Sequence, residues 1–534
     1  MGAEAELAIH YEPPPGGRHP GNLVIFQALR ADVLRRVHGV AARGLIGSLQ
    51  ERVFLSNGGA IHYEALPEAM DGGLVELATP ECRRPIDVLV RLRAMESLLS
   101  SAASAVERQL GGTLLLRRNG CDPEGRVYGP QESYEVTLAS GIWLGLWRVG
   151  LAVLLPLSLV SALVGWVALL GLIAGALGWM VVTLLSGRGL EGWSVDMGRA
   201  EQRVTAVVWG PVVAACALLI RLTAFRPQRA ALEGFLVTRM LWSGAGRLTP
   251  EGDFVLSEKA HAIQRDMRWT VSAHDRGLWE IGHLLKGLVA PALFDLRRFF
   301  KLWRGHQRLQ LGMSDATCCD VSTWLRFGVT GLLLDAAEAG ALDGVPRPRS
   351  VATAAQAVSM GACGAAVVCT DGRVREALHI QRIYYDRAVA WVADQPTVDL
   401  EQQAVLRAWG AILDALGTDE RALIGRVDWV TKRELLDAAS ADPYAVRKRV
   451  DLSWHDLPVG GFHALDAAGL MVRVADPADV AVACAKPPED TPARWRGEVI
   501  REAATDGSVQ VDWDTVRHKG RVIDLSAWRG RRGG

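Results

Sequence analysis

The sequence predicts an α+β fold interrupted by a helical membrane insertion. Three observations carry that expectation. The first nine residues, MGAEAELAI, alternate and are largely apolar, which is the pattern of a strand. Asn57-Gly58-Gly59 precedes Ala60-Ile61-His62-Tyr63-Glu64, a hairpin-type turn leading into a second strand. From Val149 to Leu185 no charged residue occurs, and a bilayer crossing needs only ~20 apolar residues.

The N-terminal strand puts Glu4 and Glu6 on one face, because strand side chains repeat every two residues. Two carboxylates side by side repel unless a cation or a proton sits between them. A hard divalent ion such as Mg²⁺ meets that need and commonly brings a nucleotide phosphate with it. A strand end with two solvated acids is the alternative reading. Further along stand LVELATPEC with Glu76 and Glu81, then RRNGCDPEGRVYGPQESYEV with Asn119, Tyr128, Gly129 and Glu132. WLRFGVTGLLLDAAEAG (324–340) and QRIYYDRAV (381–389) follow. VDLSWHDL (450–457), KPPEDTPARWRGEVI (486–500) and VQVDW (509–513) close the series.

In this order the segments resemble the Pup ligase and depupylase (PafA/Dop) family of the glutamine-synthetase-like superfamily, over roughly three quarters of the chain. The resemblance implies a curved antiparallel sheet cradling ATP, with helices behind it and a small C-terminal domain. It also implies ATP- and Mg²⁺-dependent formation or cleavage of an isopeptide bond between a small ubiquitin-like modifier and a target lysine. Carried onto this chain, Glu4, Glu6 and Glu76 are the expected metal carboxylates. Glu64 falls where the family has an aspartate that serves as base or nucleophile. Arg494 and Arg496 match nucleotide-gripping arginines, and Trp513 matches an aromatic on the nucleotide side. The implied division is residues 1–138 and 230–448 as the catalytic domain, 139–229 as the membrane insertion, and 449–534 as the nucleotide-side part with a flexible tail.

The chain departs from the family pattern at several points. Tyr-Gly-x-His-Glu-Asn-Tyr appears as Tyr128-Gly129-Pro130-Gln131-Glu132-Ser133-Tyr134, so the metal-side histidine is Gln131. A second histidine is replaced by Gln310 in RLQLGMSD. The acidic and basic loop NTRDEPHAD has no counterpart between Trp269 and Arg308. A glutamine carbonyl is a poorer metal donor than a carboxylate or imidazole. Glu64 in place of Asp moves its carboxylate outward by one methylene, and near-attack geometry tolerates little displacement.

After Tyr134 the family runs quickly to a helix that begins here at Gly234-Phe235-Leu236-Val237-Thr238-Arg239, a hundred residues later. Both ends of the intervening block must rejoin one catalytic domain, so an even number of crossings is expected. In the favoured topology 161–185 and 204–222 cross, and Ile142–Leu159 lies along the interface. In the other, Ile142–Leu185 is a tight hairpin and 204–222 is interfacial or re-entrant. Trp143, Trp147, Trp193 and Trp209 are candidates for the aromatic belts, with Arg148, Arg221, Arg226 and Arg229 flanking the insertion. That asymmetry places the catalytic domain in the cytoplasm, although Arg188, Arg199 and Arg203 occupy the connecting loop 186–203. A basic amphipathic face over 294–303, with Arg297, Arg298, Lys301 and Arg304, suits anionic lipid or plain solvation.

Composition narrows the partners. Lys+Arg and Asp+Glu are both 59, so no global field draws nucleic acid. The first residues lack the basic start and apolar stretch of a signal peptide. Eight cysteines show no CxxC or zinc spacing, no Walker loop or HExxH occurs, and Cys318-Cys319 read as buried in a reduced setting. His455-Asp456 reads as a structural hydrogen-bonding pair, with an orienting pair for catalysis as the alternative, and the terminal Gly533-Gly534 as a frayed end, with a modifier-like diglycine tail as the alternative. Two functions remain. One is a membrane-anchored ligase or isopeptidase whose partners are a small modifier, its target proteins and membrane lipid. The other is a membrane-tethered pseudoenzyme that binds nucleotide or modifier without turnover.

Overall fold

The computed structural model describes residues 1–42, 50–65, 72–122, 125–186, 209–267, 276–293, 295–397, 399–503 and 509–525. The expected connecting loop over 187–203 with Trp193, the start of the 204–222 segment, residues 268–275 and the Gly533-Gly534 tail lie outside them. The chain divides into two compact units. Met1–Glu135, Pro227–Trp279 and Gln310–Gly534 form the first, and Val136–Arg226 with Glu280–Leu309 form the second.

The first unit is organised by strands β1 (Gly2–Glu12), β2 (Gly39–Ala41), β3 (Val53–Leu55), β4 (Ala60–Ala65), β5 (Gly73–Ala78), β6 (Thr113–Arg117) and β7 (Gln131–Thr137). Strand order runs β7-β1-β5-β4-β3-β2, and every neighbouring pair given a register here is antiparallel. The parallel pair Ile263–Met267 with Arg276–Glu280 makes the sheet mixed rather than purely antiparallel. One edge of β1 pairs β5 through residues 4–8. Its other edge forks: residues 2–4 pair β7 and residues 8–12 pair β6.

The alternation read in β1 sorts its two faces. Ala5, Leu7 and Tyr11 join a core with Ile25, Phe26, Leu29, Val75, Leu77, Met95 and Leu99. Helices Asn22–Arg36 and Pro85–Leu110 supply the covering layer. Each fully buried Leu or Phe there contributes about 1.5–3 kcal/mol. The 85–110 helix carries its own boundary signals: Pro85 at its start, Asp87 in its first turn, Arg108 in its last, and left-handed Gly111 (φ 73°) after it. The turn between β3 and β4 needs Gly58, whose φ is 89° and where a Cβ would come within 2.9 Å of Ala493.

The C-terminal segment forms no unit of its own. Helix Pro492–Ala503 and strands Gln510–Val511, Thr515–His518 and Arg521–Asp524 bury Val499, Ile500, Val511 and Val516 against Phe54 and Ala60 of β3 and β4. A piece this small cannot bury a sufficient core alone.

In the second unit the structure corrects the expected topology. Ile142–Leu159 is not separate from Ser161–Leu185, nor do the two fold into a hairpin: Gly141–Ser186 is one helix that runs through Pro156. Proline forfeits one ladder hydrogen bond, but a long run of Leu and Ala on both sides sustains the helix. The helix Trp209–Thr223 packs beside its first half, where Gly150 permits the approach of Leu219. The 282–305 segment packs there too. Trp147 Nε1 donates to the Leu302 carbonyl (2.7 Å), Ser158 Oγ to Leu288 (3.4 Å) and Leu138 N to Gly305 (2.7 Å).

Candidate functional site

Cross-strand register brings three polar side chains into one row on the face of the sheet opposite the core. Glu6 of β1 lies opposite Glu76 of β5, and Glu76 lies opposite His62 of β4. Directly opposed residues share a face. Glu4 and Glu64 extend the patch one row to either side, because each is two residues from a member of that row. His62 Nε2 stands 3.0 Å from Glu76 and 3.8 Å from Glu64. Gln50 Nε2 donates to Glu64 (3.2 Å), and an Arg52 nitrogen lies 3.4 Å from His62 Nε2. The fork in β1 exposes the edge around Glu6 to the chain running from β6 to β7, and Gly129 N donates to the Glu6 carboxylate (3.0 Å).

These neighbours set unusual protonation. Burial, and after it the charge of Glu76, push the Glu6 carboxyl up to about 7. Burial and the Arg52 guanidinium pull His62 down to about 4, so its imidazole is neutral at pH 7. Lys259, buried with its ammonium donating to the Pro130 carbonyl (2.9 Å), is pulled down to about 8, chiefly by that burial. Glu6, buried and opposed to Glu76, keeps a proton that a bound divalent ion would displace.

A pH effect follows. Because the Glu6 carboxyl has a higher pKa folded than its ordinary 4.5, its stabilising contribution is full below pH 4.5 and lost as pH rises through 7. Stability of the metal-free wild type, measured relative to Glu6→Gln, should fall by on the order of 3 kcal/mol between pH 4.5 and 7. Denaturant titrations of both proteins across that range measure it; parallel curves would refute the assignment.

Both substituted glutamines meet the same acid. Gln131 of β7 lies opposite Glu4, and Gln310 Nε2 donates to Glu4 (3.3 Å). The neighbouring Glu132 points to the other face, where Arg239 holds it bidentately (2.6 and 3.0 Å) and Tyr134 donates to it (2.8 Å). Strand alternation therefore gives adjacent motif residues unrelated tasks.

The three residues expected on the nucleotide side divide. Arg496 is fully buried; it pairs with Glu81 (2.7 Å), donates to the Gly58 carbonyl (2.8 Å) and lies 4.7 Å from the Trp513 ring centroid. Arg494 is exposed and pairs with Glu498 on its own helix (2.9 Å). Two helical positions apart, the two arginines point in nearly opposite directions. His455 is buried between Lys432 (3.0 Å) and Glu258 (3.5 Å), and Asp456 takes both bonds from Arg117 (2.7 and 3.0 Å). Cys318 and Cys319 are buried free thiols.

Sequence reasoning passed over His62, Arg52, Gln50 and Lys259. His62 did carry a signal, since it alternates with Glu64 in the strand after the turn. Among the described residues His62, Glu64 and Glu76 form a candidate metal-holding group, with ligand atoms all within 4.8 Å of one another.

Comparison with known proteins agrees with this architecture. The family model described as Pup-ligase protein matches residues 26–517. A Pup–protein ligase of Mycobacterium avium is 31% identical over 318 residues, covering 55% of this chain and 65% of that protein. A Pup deamidase/depupylase of Mycolicibacterium smegmatis is 30% identical over 319 residues, covering 56% and 59%. The chain thus spans just under two thirds of the length of these relatives. A crystal structure of the ligase PafA in complex with the prokaryotic ubiquitin-like protein Pup superimposes with a TM-score of 0.66 at 18% identity, covering 98% of this chain and 88% of that one. The structure of PafA in complex with ADP gives 0.61 at 20% identity, covering 89% and 86%.

Proposed function

The chain belongs to the Pup-ligase protein family, and from that premise we propose that it is a membrane-anchored, ATP- and Mg²⁺-dependent protein that forms or cleaves isopeptide bonds on a small Pup-like modifier. The observation that carries this reading is the row Glu6–Glu76–His62 with Glu4 beside it. Glu6 and Glu76 stand opposite one another, the neutral His62 imidazole lies 3.0 Å from Glu76, and Glu4 is one row on, a donor set that suits a divalent ion. Bound there, Mg²⁺ would offset phosphate charge. Glu64 is half-exposed at the rim of the same face, within reach of an incoming lysine amine, and accepts its proton. Arg496 and Trp513 form a rigid wall that supports nucleotide binding, consistent with the ADP bound by the structural neighbour. Arg494, exposed on the outer side of its helix, would reach a nucleotide only by leaving Glu498.

A specific observation favours the second reading, a pseudoenzyme. Gln310 already hydrogen-bonds Glu4, and Gln131 faces it, so two neutral amides surround one metal carboxylate. Gln131→His combined with Gln310→His is expected to strengthen Mg²⁺ binding and raise ATP turnover, with Glu64→Ala then removing conjugate while sparing nucleotide binding. If the double variant binds Mg²⁺-ATP and still transfers nothing, the pseudoenzyme reading replaces the enzyme. If Glu64→Ala leaves activity untouched, Glu64 is not the base.

The membrane reading rests on the 141–186 helix. Its Gly141–Val181 part has a mean hydropathy of 2.4 over its most apolar stretch, little of which is buried within the protein. Ile142, Val149, Val153, Val160, Val164 and Val167 form an exposed apolar stripe. Both ends of the insertion rejoin one catalytic unit, and the flanking Arg148, Arg221, Arg226 and Arg229 favour the cytoplasmic side for it. The intact chain should resist carbonate extraction, and deletion of 142–226 should release a soluble catalytic unit. Recovery of the intact chain in the soluble fraction would end this reading.

A further inference from the structure

We propose that the second unit carries a docking surface for anionic lipid headgroups, built from Arg297, Arg298 and Arg304 at the foot of the 141–186 helix; it rests on the membrane reading above. The whole chain is charge-balanced, yet the described residues of this unit hold nine Lys and Arg against two Asp and Glu. Of these two acids only Asp295 is exposed. Glu280 is buried, and Asp295 caps the Leu296–Lys301 helix by accepting from Arg298 N (3.1 Å).

The cations gather at one end of the long helix. Arg148 Nε donates to the Trp303 carbonyl (3.2 Å), and the Arg226 guanidinium stacks 3.7 Å from the Trp143 ring centroid. The bonds from Trp147 to Leu302 and from Leu138 to Gly305 tie the basic segment to the same turns. From Val149 to Ser186 the helix carries no charge at all. Beside the exposed Arg297 and Arg298, Leu296 and Phe300 are 44% and 53% exposed. Outward apolar side chains interleaved with cations, next to an uncharged helix, fit the boundary between headgroup phosphate and acyl chain.

The test uses the full-length protein in lipid nanodiscs, of phosphatidylcholine alone or with phosphatidylglycerol. Wild type should melt several degrees higher in the anionic discs. Arg297→Gln with Arg298→Gln should lose at least half of that difference while still resisting carbonate extraction. Equal melting of wild type in both discs overturns the proposal, as does a double variant that keeps the full difference. An equal rise on adding inorganic phosphate to neutral discs would also overturn it, by assigning the surface to free phosphate. Carbonate extraction of the wild type would instead sink the membrane reading itself.

Discussion

Millimolar Mg²⁺-ATP is expected to raise the melting temperature of the protein, and Glu4→Ala, Glu6→Ala and Glu76→Ala are each expected to abolish the rise. A ligand that binds only the folded state stabilises it by mass action, by about 2.7 kcal/mol at a hundred times its dissociation constant. The three carboxylates stand on adjacent strands, with Glu6 directly opposite Glu76. Removing any one takes an oxygen donor from an ion that is held chiefly by carboxylates and phosphates. Glu6→Ala also removes the protonated carboxyl that burial disfavours as an anion, so it should raise the stability of the metal-free protein near neutral pH while losing the nucleotide effect. That opposite pair of outcomes separates a ligand role from a purely structural one. Glu64→Ala should keep more of the nucleotide shift than these three variants, because its carboxylate lies at the rim and engages Gln50 and His62, although it stands with His62 and Glu76 in the candidate metal-holding group. Differential scanning fluorimetry with and without Mg²⁺-ATP measures all four variants. Retention of the shift in Glu6→Ala or Glu76→Ala would remove the proposed site.

Arg239→Ala is expected to cost about 3–5 kcal/mol, the range for stripping one partner from a buried ion pair. Arg239 is nearly inaccessible and spends its donors on both oxygens of Glu132, on Thr330 Oγ1 (2.9 Å) and on the Met313 carbonyl (2.5 Å). Truncation leaves Glu132 fully buried, with Arg326 at 3.6 Å as its remaining cation. The charge of Arg239 is the main attraction holding the Glu132 carboxyl below its ordinary range against burial. Arg239→Lys should recover only part of the loss, since a point charge cannot reproduce the fork. Urea melts report the difference; a loss under about 1 kcal/mol would show that Arg326 alone satisfies the acid. Because Glu132 shares β7 with Gln131, a failure here should also disturb the strand that faces Glu4.

Much of the site is written locally. The alternation of residues 1–9 puts Glu4 and Glu6 on one face and Leu7 in the core, and the observed strand keeps that division. Asn57-Gly58-Gly59 demands a turn, and the turn forms there. The two substituted glutamines are visible as departures in a motif, and both end beside Glu4. The imidazole beside Glu76 was not legible. His62 faces it only because β4 pairs with β5 in one register, and a shift by one residue would send the imidazole to the opposite face. Lys259 approaches through a segment far along the chain, with no local pattern to announce it.

The long apolar helix divides along the same line. Composition alone marks residues 142–185 as apolar enough to cross a bilayer, because transfer energetics depend on residue type and run length. Composition does not say whether that run bends. The expected division into Ile142–Leu159 and 161–185 does not occur: one helix passes through both, with neighbouring segments packed against its first half. Arg494 and Arg496 make the same point at the other end of the chain. Their identity marks both as cationic, but helical rotation buries one against Glu81 and Trp513 and leaves the other in solvent. Periodicity, turns and charge are properties of neighbours in sequence, so the sequence by itself determines them. Register, rotation and burial depend on contacts between residues far apart in sequence, and those are settled only when the chain packs.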